Sequence, residues 1–108
     1  MPGKNSASIK NWPEDERLRE RLIKYGSSSM SDAHLLGILI GSGDRRARKN
    51  AVDLSRDLLN KFGTLESIDQ ASITEICQIQ GIGAAKAAQI KAALEVGKRM
   101  AAKNSEKK

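Results

Sequence analysis

Apolar residues recur at three- and four-residue intervals along most of this chain, the spacing of one buried helix face. "NWPEDERLRERLIKYG" predicts a first helix with Leu18, Leu22 and Tyr25 in its stripe. Pro13 suits an early helical position, Glu14, Asp15 and Glu16 suit the positive end of the dipole, and Gly26 ends the helix. "MSDAHLLGILIGSG" predicts a second, capped by Ser31 or Asp32, with Leu35, Leu36, Leu39 and Ile40 on its apolar face. "RKNAVDLSRDLLNKFG" predicts a third, from an Asn50 cap to Gly63, burying Val52, Leu54, Leu58, Leu59 and Phe62. After a short segment around Leu65 to Asp69, "SITEICQIQ" predicts a helix whose Ser72 and Glu75 form a capping box. The last helix is expected from about Ala84 to Met100, with Ala87, Ile90, Leu94 and Gly97 along one stripe. No segment alternates with period two. The expected fold is all-α, a small helical bundle.

Both ends differ from this pattern. "MPGKNSAS" and "AAKNSEKK" are small, polar and charged, so residues 1–8 and 101–108 are expected to be disordered tails around one domain, 9–100. The 108-residue length fits a single domain. Trp12, Tyr25 and Phe62 are the only aromatic residues, which leaves the core to Leu, Ile, Val and Ala and favours packed helices.

Between the two expected helices at the C-terminal end lies "QIQGIGAAKAAQI", Gln78 to Ile90. A glycine inside a helix costs about 1 kcal/mol relative to alanine, so Gly81 and Gly83 mark a break. The reading is a short helix ending at Gly81, a turn over Gly83, and a second helix starting at once, with Ile82 plugging the gap. Such a turn wants positive φ, and it leaves backbone N–H groups near Gly83 and Ala85 pointing outward at a helix N-terminus, where an anion is favoured. Lys86 and Lys91 would add charge. The pattern resembles the helix-hairpin-helix motif of DNA-binding and repair proteins, with Gln80 where many members have proline. The plainer reading is an αα-hairpin whose glycines only permit close packing.

An offset of 40 residues lays "DAHLLGILIGSG" over "SITEICQIQGIG" and aligns Asp32 with Ser72, Leu36 with Ile76, Leu39 with Ile79, Gly41 with Gly81, and Gly43 with Gly83. Ser42 replaces the plugging isoleucine, and "DRRARKN" is inserted before the next helix. Two such hairpins related by a pseudo-twofold resemble a tandem helix-hairpin-helix domain. The insert holds Arg45, Arg46, Arg48 and Lys49, a cationic loop suited to phosphate contact. The alternatives are chance similarity of two capped helices and a solvated loop.

The charge balance agrees with this direction. Nineteen Lys and Arg against 13 Asp and Glu give +6, which points to a polyanionic partner, nucleic acid first. Cys77 and His34 are each the only residue of their type, so the chain alone holds no disulfide framework or Cys/His zinc site. No metal, cofactor or small-molecule ligand is expected. The longest apolar run, Leu35 to Ile40, is too short to cross a bilayer, and the first residues lack the apolar core of a signal peptide. A cytoplasmic protein with no membrane partner is expected. "GSGDRRARKN" is no Walker loop and "GIGAAK" no dinucleotide fingerprint, since Arg48 and Lys86 stand where glycines belong. No nucleophile–base pair or carboxylate pair forms a catalytic constellation.

Taken together, "IKNWPEDERLRERLIKYGSSSMSDAHLLGILIGSG", "NAVDLSRDLLNKFGTL" and "IQGIGAAKAAQIKAALEVGKR" resemble the N-terminal domain of the RadC family of bacterial proteins, named for DNA repair, from Ile9 to Arg99. Leu18 departs from the proline at that place in the family. The resemblance implies a further metal-dependent, peptidase-like domain of the JAB/MPN type, marked by His-x-His and a downstream Asp. This chain would then be the isolated N-terminal domain without the metal centre, and the hydrolase label would not transfer to its residues. Two functions are carried forward: a non-catalytic, sequence-independent DNA-binding domain, and a module that docks a JAB/MPN-type domain or another protein.

Overall fold

The computed structural model describes the backbone of residues 11–106 and the side chains of 16–103. The expected tail at 1–8, the last two residues of the other, and the side chains of Trp12, Pro13, Glu14 and Asp15 lie outside the described residues. The fold is all-α. Among the described residues six α-helices follow in order: α1 Asn11–Tyr25, α2 Asp32–Ile40, α3 Ala51–Phe62, α4 Leu65–Gln70, α5 Ile73–Ile76 and α6 Ala84–Glu106, with a 3₁₀ turn at Ser27–Ser29.

Side-chain oxygens set where α2 to α5 begin, each accepting an N–H that the first helical turn leaves without a partner. Ser31, not Asp32, caps α2 by accepting from the His34 N–H. Asn50 accepts from the Asp53 N–H at 2.8 Å while the Asp53 carboxylate accepts from the Asn50 N–H at 3.0 Å, a capping box over α3. Thr64 caps α4. Ser72 and Glu75 form the expected box over α5, at 3.1 and 2.8 Å.

Helix α3 is the spine of the core. Its Leu54 and Leu58 are fully buried among Leu36 and Ile40 of α2, Ile68 of α4, Ile76 of α5, and Ala87 and Ile90 of α6. Leu59, Phe62 and Leu94 pack at the edge of that cluster, whereas Gly97 faces solvent. A smaller cluster of Leu18, Met30 and Val52 fastens α1 to α2 and α3. Leu18 is an anchor of this cluster: a Cβ on Gly37 would lie 2.9 Å from its Cδ1. Tyr25 does not join the stripe. It is 65% exposed and Ile23 83%, since among the described residues no helix covers α1 beyond Leu22.

Two boundaries differ from the sequence expectation. The helix expected over "SITEICQIQ" is α-helical only at Ile73–Ile76. The chain then tightens through i to i+3 bonds, Gln78 N–H to Glu75 O and Ile79 N–H to Ile76 O, which turn Ile76, Ile79 and Ile82 all inward. In the other direction, α6 continues past Met100 to Glu106, through residues expected to be a tail. Alanine, lysine and glutamate there are good helix formers, and no glycine or proline stops them.

Polar side chains of α6 close the ends of two other helices. Gln89 Nε2 donates to Leu39 O of α2 at 2.7 Å. Lys91 Nζ donates to Ala71 O at 2.8 Å and also to Asp69 O, placing its charge at the negative end of α4. Replacing Lys91 by Met, which keeps the stem and removes the donor, should therefore lower stability by about 1–3 kcal/mol. Urea unfolding checks this; a loss below a few tenths would mean the contact is idle.

Candidate nucleic-acid interface

The glycine-broken hairpin forms as its sequence implies at one glycine and differently at the other. Gly81 has φ +99°, in the left-handed region. A Cβ there would lie 2.7 Å from Leu54 Cδ2 and 3.2 Å from Asp44 Cβ. Leu54 is fully buried and has nowhere to retreat. Gly83 has no positive φ, and a Cβ on it would meet nothing within 4 Å. Its carbonyl accepts the Ala87 N–H at 3.0 Å, which makes it the residue that begins α6. Ile82 between them is 3% exposed, and its N–H is spent on Ile79 O.

Having no side chain, Gly83 supplies no capping oxygen. The N–H groups of Ala84, Ala85 and Lys86 precede the first intrahelical bond of α6 and have no helix carbonyl behind them. Gly83, Ala84 and Ala85 are exposed, and Lys86 is half-buried. Among the described residues no carboxylate pairs with Lys86. The donors and a cation thus share the first turn of a 23-residue helix.

Gly41 has φ +85°, matching Gly81, and Leu36 is buried like Ile76. The correspondence stops at Gly43. A Cβ on Gly43 would stand 2.0 Å from Lys49 O and 2.5 Å from Asn50 Cα, so this glycine lies against the backbone on the far side of the insert. The insert closes on itself. Asp44 N–H donates to Lys49 O at 2.8 Å and Lys49 N–H to Asp44 O at 3.1 Å, an isolated antiparallel bridge. Inside it, Arg48 N–H donates to Arg45 O and Ala47 N–H to Asp44 Oδ2. Asn50 then takes the capping position of α3, and its side chain accepts the Asp53 N–H. The first hairpin therefore lacks the uncapped helix start found at α6, and its side-chain cations are what it presents outward.

The cations divide into two groups. Lys49 Nζ pairs with Asp57 of α3, and Lys91 is held by the α4 carbonyls, so both are fixtures of the fold rather than free charges. Arg45, Arg46 and Arg48 are exposed, and none pairs with a carboxylate among the described residues. The contact of Asp44 with Gly81 joins the two turns: Arg45 follows the touching residue directly, and Lys86 lies five positions beyond Gly81. Lys91 and Lys49 aside, the free charges expected at the two hairpins sit on segments that meet. The roles of Gly43 and Lys91 had no signal in the sequence, since each depends on a backbone atom distant along the chain.

His34 lies beside Arg17, Leu18 and Arg21, and Cys77 is half-buried at the edge of the main core. Among the described residues no three His, Cys, Asp or Glu side chains gather as metal ligands. Hydrogen bonds from the Ser72 backbone and hydroxyl hold the Glu75 carboxyl below its ordinary value near 4.5. A depressed folded value stabilises the protein at neutral pH and is lost as pH falls through it. The α5 end of the hairpin should accordingly loosen below about pH 4.5. Amide protection at Ser72–Ile76, with the intrinsic pH dependence of exchange divided out, should fall in that window in the native chain and change less in Ser72→Ala.

The glycines give a second check. Gly81→Ala adds a core clash to an unfavourable φ, and Gly43→Ala drives a Cβ into backbone. Gly41→Ala meets no neighbouring atom and only the penalty of its φ +85°, ψ −56° backbone, about 1–3 kcal/mol. Urea unfolding should rank Gly41→Ala as the mildest of the three by a clear margin.

The chain belongs to the UPF0758 N-terminal family, which it matches over residues 9–88. It is 50% identical over 101 residues to a UPF0758 protein of Geotalea uraniireducens strain Rf4, covering 94% of this chain and 44% of that protein. It is 51% identical over 100 residues to a UPF0758 protein of Trichlorobacter lovleyi, covering 92% and 44%. With UPF0758 protein GSU0386 of Geobacter sulfurreducens it shares 45% over 102 residues, covering 94% and 43%. The chain thus spans less than half the length of these bacterial relatives. No solved structure matches it.

Proposed function

We propose that this domain is a non-catalytic, sequence-independent DNA-binding module that holds phosphates through a helix-hairpin-helix at Gly81–Lys86, with the loop at Gly41–Lys49 as a second contact. One observation carries the reading. The α6 N-terminus is exposed, lacks a capping side chain and bears the unpaired Lys86, and the turn leading to it touches the base of a loop carrying three unpaired arginines. A phosphate oxygen placed at Ala84–Lys86 would accept from backbone N–H groups and gain from the helix dipole and the lysine. A phosphate of the opposite strand would lie toward the arginines. Such contacts involve no base edge, so the affinity is nonspecific, about 10⁻⁴–10⁻⁶ M at physiological salt, and steeply salt-dependent. The resemblance to RadC N-terminal domains fits a role in DNA transactions, repair among them, in the bacterial cytoplasm.

Docking of a JAB/MPN-type domain, or of another protein, is the second reading. It draws on an apolar groove of about 280 Å³ between α4 and α6, lined by Leu65, Ala93, Leu94 and Ala101, with the Asp69–Lys98 ion pair at its rim.

Gly83→Ser separates phosphate binding from fold stability. Serine is a better cap than glycine and has room for its Cβ, so it should stabilise α6 by a few tenths of a kcal/mol. Its hydroxyl would also take a donor that the phosphate needs, so duplex affinity should fall several-fold. Lys86→Gln should lower the salt slope of binding by about 0.9. Fluorescence anisotropy with a labelled duplex across a salt series measures both. Unchanged affinity in both variants would remove the hairpin from the interface.

A further inference from the structure

We propose that the Asp44–Lys49 loop reads DNA shape: it carries arginine into a narrow minor groove, so the domain prefers A·T-tract duplex to G·C duplex without recognising a base sequence. The inference rests on the DNA-binding reading above and names the duplex which that site favours.

The first observation is the backbone of Arg48. Its φ of +57° is the only positive value at a non-glycine among the described residues. Glycine or asparagine suits that conformation far better, and side chains kept there against the preference cluster at functional sites. Arg48 is exposed, and its side chain has no hydrogen bond or ion pair among the described residues. The second is stiffness. The Asp44–Lys49 bridge, the Asp44 carboxylate on Ala47 N–H, the Arg48–Arg45 backbone bond and Gly43 lying against Asn50 fix the loop before any ligand arrives. Lys49 is tied to Asp57 at the base, so every free cation at the tip is arginine.

Size and charge select the groove. The loop base lies against Gly81, and only four residues separate Asp44 from Lys49, so the tip is a tight turn bearing three arginines. A guanidinium on its slender stem fits a minor groove about 6 Å wide, into which a helix or a broad loop does not pass. A·T tracts narrow the minor groove further and deepen its negative potential. Guanidinium is more weakly hydrated than ammonium, so arginine loses less than lysine on entering.

The test compares two labelled 12-base-pair duplexes, one with a central AAATTT tract and one of G·C pairs only, by anisotropy at low salt. The native chain should bind the A·T duplex several-fold tighter. Arg48→Gly, which suits the local φ and so keeps the fold by urea unfolding, should bring the ratio close to one. Arg48→Lys, with the charge retained, should also reduce it. Equal binding of both duplexes by the native chain, or an unchanged ratio in Arg48→Gly, would overturn shape reading and leave the phosphate clamp standing. Binding to neither duplex would overturn both.

Discussion

The missing side chain at Gly81 decides how the two halves of this domain meet. Leu54, the middle of the core, presses where a Cβ would stand, and Asp44 lies close to the same point. Through this one α-carbon the C-terminal hairpin seats against α3 and simultaneously against the base of the arginine loop. The positive φ that only glycine adopts cheaply also turns the chain from α5 into α6. Core packing, loop position and the direction of the exposed α6 N-terminus are consequences of the same contact.

Around that junction the fold distributes polar groups unequally. Helices α2, α3, α4 and α5 begin under side-chain caps, and two helix ends are closed by Gln89 and Lys91. The start of α6 is left to a glycine. Equivalent satisfaction there needs only one hydroxyl or amide at residue 83, and the open space around it would admit one. Stability alone would favour that change. On the reading proposed above, an external anion would be the partner that gives the bare terminus a purpose, and the loop that meets Gly81 adds arginines of the sign such a partner needs.

Much of this was legible along the chain because it is local. Caps at Asn50 and Ser72, the glycine breaks and the inward stripes of α2 and α3 depend on neighbours within four residues, and the structure has them. The illegible parts are contacts across the chain. Gly43 and Gly83 occupy matching places in the repeat, yet one is jammed against Asn50 and the other open. Lys91 reads as a free cation until the α4 carbonyls are found around it. Tyr25 has the helical spacing of Leu18 and Leu22, but whether anything covers it depends on segments distant along the chain. The reach of α6 to Glu106 was hidden by a polar composition that suits a tail and an exposed helix equally.

The central claim is that phosphate meets the bare end of α6 and the arginine loop together. Amide NMR of the isotope-labelled domain, titrated with a short duplex at low salt, tests it residue by residue. The account predicts shifts concentrated at Ala84, Ala85, Lys86 and Arg45–Arg48, with Leu65, Leu94 and Ala101 unmoved. Shifts centred on the α4–α6 groove, or none at the α6 N-terminus, would contradict it.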